Sequence, residues 1–342
     1  MTIRNSACFA ALIIHCLFAV GCSRQMSLET LSGFAQGTSY HITYWSESSL
    51  DGEQIATDIK NELKRIDKSI SNYSDSSTIS TFNSNSSLEP IEVNEEISTL
   101  FSITRDVSKK SFGCYDPTVL PVFKAWGFLD NSLSIPSKAE LASLRQRVGI
   151  NNIRQHSAGY LKKVLPDSHL DLSSIGQGYS VKRLASILET YGVDNYLVEI
   201  GGEMQVRGHK PDGVAWRIAI EKPHKGGREV MEVLKFSDDR ASAVMTSGTY
   251  RHFYESHEKS YSHVIDARTL KPVEHATLSV TVIHNDAALA DAWSTALLCL
   301  GSESGMSVAE KYGLSAVFID DGTQLLIKRS SAFIANYEKS EA

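Results

Sequence analysis

The 342-residue chain has no run of Lys and Arg, and its formal net charge is −6. Counterion release from a phosphate backbone needs such runs, so a nucleic-acid partner is not expected. Five cysteines are present without a Cys-x-x-Cys, which argues against a zinc ribbon and a thioredoxin-like redox pair. No Gly-Lys-Ser/Thr follows a glycine loop, so there is no P-loop. Gly176 and Gly178 make a Gly-x-Gly without the third glycine of a dinucleotide fingerprint. No apolar run reaches the roughly 20 residues that span a bilayer, and no repeat of solenoid length appears. A hydrophobic fraction of 42% is ample for a core, and 22% charged residues is ordinary for a soluble domain.

The N-terminus carries a definite signal. Arg4 precedes a nearly wholly apolar stretch from Ala7 to Val20, of the length of a secretory h-region. It ends Phe18-Ala19-Val20-Gly21-Cys22, a small residue before Cys, which resembles a bacterial lipoprotein signal in which Cys22 becomes the lipidated N-terminus. Ala19 departs from the more usual Leu, and an ordinary signal peptide is the alternative. Ser23 after the Cys favours outer-membrane sorting. Residues 1–21 are therefore expected to be a signal and 22–32 a tether, followed by one domain over 33–330 and a tail over 331–342. The expected location is a bacterial membrane facing the periplasm. Cys8 and Cys16 leave with the signal, so Cys114 and Cys299 remain. Two buried free thiols are the expectation, with a disulfide as the alternative.

Periodicity organises the rest. Gly37–Trp45 alternates as a strand. Ile55, Ile59, Leu63, Ile66 and Ile70 mark an amphipathic helix over 51–70, and Ile97, Leu100, Phe101, Thr104 and Val107 mark another over 94–110. Ser71–Ser87 reads as a Ser/Asn-rich loop, although Tyr73, Ile79 and Phe82 are out of place in a solvated linker. A helix from Pro136 to about Gly149, a short strand at His169–Asp171, and strands at 195–200, 215–221, 230–236 and 279–284 follow. The Ala/Leu-rich stretch Ala287–Leu300 reads as a helix capped by Gly301. A hairpin around Asp321-Gly322 closes the series. Hairpins mixed with helices give an α+β class.

Taken singly, the chemical motifs are weak. The Gly176-x-Gly178 turn and the helix after it could hold an anion, help hold a metal, or be a plain turn. Asp291 and Thr295 are four apart, so a carboxylate and a hydroxyl share one helix face and suit Mg²⁺, or else an exposed Asp and a backbone-bonded Thr. His263 near Asp266 suits proton transfer. Thr246, Ser247 and Thr249 around Gly248, beside Arg251, suit a phosphate or a turn.

Their order along the chain is more specific. "SNYSDSSTISTFN", "GCYDPTV", "AWGF", "DLSSIGQGYSVKRL", "YLVEIGGEMQVRG", "TSGTYRHFYE", "SHVIDARTLKPV" and "DAWSTALLCLG" follow a Gly-Thr strand. The series, from about Gly33 to Lys328, closely resembles the FAD:protein FMN transferases, the ApbE lipoproteins.

That resemblance implies a compact α+β fold of mixed sheets with packed helices, often called T-fold-like. It implies FAD as substrate, Mg²⁺, and transfer of the FMN half of FAD to a Thr hydroxyl of a partner with release of AMP. The partner would be a flavoprotein subunit of a redox-driven ion-pumping complex. Asp291, Thr295 and an oxygen of Ser174 would hold the metal. Gln36, Tyr73, Tyr115, Asp116, Pro117, Asp171, Gln177 and Ile265 match FAD-contacting positions. Gln36 stands where Met is common, and Gln177 where an acidic or basic residue is common. His263 would be the general base, with Asp266 orienting it. An FAD pyrophosphatase and a lipid-anchored flavin binder without catalysis are the competing readings.

Overall fold

In the computed structural model the described residues are 27–130, 132–223, 229–250, 253–256 and 259–338, and for 253–256, 259 and 260 only the backbone is described. Cys22, the signal stretch and Arg251 lie outside them. The frame is one eight-stranded sheet: Glu29–Ala35, Thr38–Trp45, Asn195–Ile200, Glu203–Arg207, Ser242–Gly248, Thr277–His284, Ser315–Asp320 and Leu326–Arg329. Each strand pairs antiparallel with the next of these in chain order. A long excursion interrupts the meander between the second and third strands, leaving after Trp45 and returning at Asn195, and these two residues face each other in the ladder.

Both faces of the sheet are covered, most completely at Ser315–Asp320, where all six residues are buried. Ile42, Val198, Met245, Val282 and Phe318 point to the helical side; Trp45, Val206, Val244, Ile283, Val317 and Ile319 point to the other. On that second side lie the hairpin of Trp216–Glu221 with Val230–Phe236, and Phe333.

The helices among the described residues are α1 Gly52–Ile70, α2 Thr78–Ser84, α3 Asn94–Lys110, α4 Leu120–Ala125, α5 Lys138–Leu144, α6 Ser173–Thr190, α7 Ala287–Tyr312 and α8 Ser331–Tyr337. None is long and apolar enough to cross a membrane. In α1 the Asp51 side chain accepts from the N–H groups of Glu53 and Gln54 at 3.1 and 3.0 Å, a cap worth about 1 kcal/mol. The apolar positions read from its sequence are the buried ones.

Several boundaries differ from the sequence reading. The first strand begins at Glu29, inside the expected tether, because it pairs along its whole length with Thr38–Trp45. The expected tail folds as α8, which buries Phe333 in the second core. The Ser/Asn-rich stretch contains α2, capped by Ser77 and anchored by Ile79 and Phe82. The helix expected to run to Gly149 ends at Leu144, and His169–Asp171 is not a strand. Gly301 does adopt a left-handed φ of 72°, but helix resumes directly after it and α7 ends at Gly313. The His275 ring packs where a Gly301 side chain would be, so a tertiary contact decides what looked like a local stop.

The two remaining cysteines are joined. Cys114 and Cys299 form a disulfide with Cα atoms 5.9 Å apart, which corrects the expectation of free thiols. Sequence spacing says nothing of spatial approach, and these two residues are 185 apart in the chain. Closing so long a loop is worth about 5 kcal/mol in the chain-entropy account.

Candidate active site

The site lies where α6 meets α7. Gly176 and Gly178 are inside α6, so the turn read from the sequence, whether for an anion, a metal or neither, is not formed. Their purpose is close approach. A Cβ on Gly178 would strike the Ala287 carbonyl oxygen and stand 2.5 Å from the Asp291 Cβ. With no side chain there, the Gly178 N–H reaches Asp291 Oδ2 at 2.8 Å. Helix α6 thus delivers Ser174 beside the carboxylate-bearing face of α7.

Tyr115 closes the arrangement from a third direction. Its hydroxyl lies 2.9 Å from Ser174 Oγ. The ring is buried, and burial, reinforced by the charges of Asp291, Asp171 and Asp116, pushes the phenol well above its usual range, so it stays protonated. Asp171 is buried just before α6. Its Oδ1 accepts from Asn72 Nδ2 and from the Ser173 N–H, both at 2.8 Å, and its own N–H donates to the Pro117 carbonyl at 2.7 Å. Burial raises its pKa against the pull of those bonds. The Asn83 side chain pins the preceding residue, accepting from Leu170 N at 2.7 Å and donating to Leu170 O at 2.9 Å. The "SNYSDSSTISTFN" stretch is therefore fastened to the start of the Ser174 helix.

On α7, Asp291 is buried, and burial raises its carboxyl to about 7 against the single opposing bond from Gly178. No cationic group among the described residues draws it down. One turn on, Thr295 Oγ1 lies 3.0 Å from Ser247 Oγ, which also meets Ser294 Oγ at 2.8 Å. Ser294 Oγ in turn donates to the Asp291 carbonyl at 2.9 Å. A buried carboxylate without a counter-charge, beside the hydroxyls of Thr295 and Ser247 and across from Ser174, is an all-oxygen donor set. It fits a hard divalent cation, whose charge would remove the penalty of burying Asp291.

The other sequence candidates divide. Gln36 forms the tip of the first hairpin with φ 52°, and its Nε2 donates to Ser180 Oγ on α6 at 2.6 Å. Gln177 Nε2 lies beside Gly201, in the turn between the third and fourth strands of the sheet. Ile265 is buried, and its carbonyl oxygen lies 3.8 Å from Cys299 Sγ. Pro117 contributes its carbonyl to Asp171, as above. Tyr73 is 80% exposed beside Asn72. The two oxygens of Asp116 accept from Thr118 N and Oγ1 at 2.9 and 2.6 Å and from Ile150 N at 2.7 Å. His263 is half-buried at the bend before Ile265. The carboxylate of Asp266 binds Arg268, with Nε and Nη2 at 2.9 and 2.8 Å.

Comparison with known proteins decides the family. Residues 36–318 match the model of the ApbE family. The chain belongs to the ApbE family. It is 34% identical over 322 residues to the FAD:protein FMN transferase of Escherichia coli K12, covering 90% of this chain and 91% of that protein. Among solved structures it is similar to the flavin transferase ApbE from Vibrio cholerae, with a TM-score of 0.82 at 33% identity over 91% of this chain and 99% of that one. The apo flavinyl transferase ApbE of Pseudomonas stutzeri superposes with a TM-score of 0.84 at 30% identity, covering 92% and 98%. The α+β class is thereby established.

Within this ApbE site the sequence reading missed Asn72, Asn83 and Ser294 and misplaced Ser247. Ser294 is detectable in principle, being three residues beyond Asp291 on the same face of α7. Ser247 carries a hydroxyl in a stretch whose sequence suits a phosphate or a turn, and only the pairing of Ser242–Gly248 beneath α7 turns it toward Thr295.

Proposed function

We propose that this chain moves the FMN half of FAD onto a threonine hydroxyl of an acceptor flavoprotein subunit and releases AMP. The acceptor would belong to a redox-driven ion-pumping complex. The observation that carries this reading is the buried, uncompensated Asp291 facing the Ser174–Tyr115 pair in a chain of the ApbE family. Asp291 and Thr295, with Ser174 and Ser247 nearby, would hold Mg²⁺. When bound, the ion neutralises pyrophosphate charge and stabilises the leaving phosphate oxygen.

The chain's own residues supply the rest. Asp171 and Tyr115 line the nucleotide side; Tyr115, kept protonated by burial, serves as a neutral donor. Gln36 and Gln177 bound the opposite edge. The acceptor's threonine oxygen bonds to the FMN phosphorus as the bond to AMP breaks, and AMP keeps the bridging oxygen. The threonine proton passes to His263, a step worth about 10²–10⁴-fold. The Cys114–Cys299 disulfide favours an oxidising compartment, which agrees with export and anchoring through Cys22.

The test is to incubate the chain with FAD, Mg²⁺ and an acceptor domain and to look for in-gel flavin fluorescence and an FMN-sized mass increase. AMP release at an equal rate without acceptor, and no labelled protein, would assign FAD hydrolysis instead. FAD recovered intact would leave only binding.

A further inference from the structure

The Cys114–Cys299 disulfide lies among the site residues. Cys299 follows Asp291 and Thr295 at four-residue steps on the same face of α7. Cys114 is bonded directly to Tyr115, and the Ile265 carbonyl is 3.8 Å from Cys299 Sγ. Three connections therefore form a closed triangle. The glycine crossing fixes α6 to α7, the Tyr115–Ser174 hydrogen bond fixes the 113–117 loop to α6, and the disulfide fixes that loop to α7.

The loop leaves α3 through a local cap, with Phe112 and Gly113 left-handed at φ 57° and 73° and their N–H groups donating to Lys109 O at 3.2 Å and Ser108 O at 2.9 Å. Beyond the cap it is held by Cys114 N to Ser111 O at 3.1 Å, Ala267 N to Cys114 O at 3.0 Å, Asp171 N to Pro117 O at 2.7 Å and Ile150 N to Asp116 Oδ2 at 2.7 Å, but among these bonds the disulfide alone ties it covalently to α7.

We propose that the disulfide is a positioning element of the transfer site: it holds Tyr115 against Ser174, and its reduction weakens the cation site before the domain unfolds. The inference rests on the transfer reading given above. In the reductive step an external dithiol attacks one sulfur. The S–S bond breaks, two electrons and two protons pass to Cys114 and Cys299, and the dithiol leaves as its own disulfide. The loop then keeps its hydrogen bonds but loses its covalent attachment to α7.

The experiment uses the full chain, before and after a dithiol, with thiol titration to register the two new thiols. Mn²⁺ affinity is read by electron paramagnetic resonance without FAD, and the Mg²⁺ half-saturation of transfer is read separately from kcat. A Cys114→Ser/Cys299→Ser double variant repeats both without reductant. Phe333→Leu, in the second core, supplies a stability loss remote from the site. Reduction is expected to weaken Mn²⁺ binding by about 10–100-fold, the range for removing a group behind a metal ligand, with kcat at saturating Mg²⁺ largely retained and reoxidation restoring affinity. Unchanged Mn²⁺ affinity in both the reduced chain and the double variant overturns the proposal. So does an equal loss in Phe333→Leu at a matched Tm. An oxidised chain that transfers no flavin would sink the transfer reading, while the Mn²⁺ titration would still decide this one.

Discussion

Gly178 and Asp291 meet as donor and acceptor at 2.8 Å while leaving no room for a methyl group between their helices. Gly178→Ala tests the pair. In an isolated helix the change would favour helix by up to about 1 kcal/mol. Here the new Cβ strikes backbone, which cannot rotate away, and overpacking of this kind costs about 1–3 kcal/mol. A lower Tm, together with weaker divalent-cation binding, is the expected outcome of thermal melts and cation titration. A variant as stable and as active as the parent would show that the crossing tolerates more space than its geometry allows.

Asp291 gives a pH dependence of definite sign. Burial raises its folded pKa to about 7, above the 3.8 of an unburied aspartate, so the folded state holds the extra proton between those values. Stability of the cation-free protein therefore falls as pH rises from about 4 to 7, by up to about 4 kcal/mol in total. Asp291→Asn keeps an acceptor for Gly178 N–H without the charge. At pH 8 it should melt higher than the parent in EDTA, and near pH 4 the two should coincide. Divalent cations should raise the Tm of the parent alone. Calorimetry in two buffers should find a proton released on cation binding at pH 6 and almost none at pH 8.5.

Asn83→Ala removes both hydrogen bonds to the Leu170 backbone. A loss of about 1–3 kcal/mol is expected in denaturant melts. Because Leu170 precedes Asp171, the KM for FAD should rise more than kcat falls. An unchanged KM would separate the Ser/Asn-rich stretch from nucleotide binding.

His263→Ala should slow transfer by about 10²–10⁴-fold with FAD affinity nearly intact. Single-turnover transfer and equilibrium FAD titration distinguish the two effects. Full activity would remove His263 from the chemistry, and loss of FAD binding would recast it as a contact residue.

Much of this was legible beforehand where one physical signal dominates. The Ile55–Ile70 spacing and Asn94–Lys110 are local and periodic, and both helices form as read. Asp291 and Thr295 share a face by helix geometry alone. What escaped depends on approach between distant segments. Two glycines advertise conformational freedom, but in α6 they serve proximity. Asp116 has the chemistry of a ligand contact, yet backbone groups at Thr118 and Ile150 take both its oxygens. Two cysteines 185 residues apart give no hint of touching. Residues 29–32 and 331–337 looked peripheral because their partners, a neighbouring strand and the second core, are invisible in a local window.

The excursion between Trp45 and Asn195 departs and re-enters the sheet at one facing pair. The loop that carries Tyr115 and the helix that carries Ser174 both belong to it, whereas Ser247 belongs to the sheet and Asp291 and Thr295 to α7, which joins two of its strands. Lengthening or shortening the excursion therefore shifts the register of none of the eight strands. Grafting residues 46–194 between relatives would therefore exchange Tyr115, Asp171 and Ser174 as one block while Asp291, Thr295 and Ser247 stay with the host.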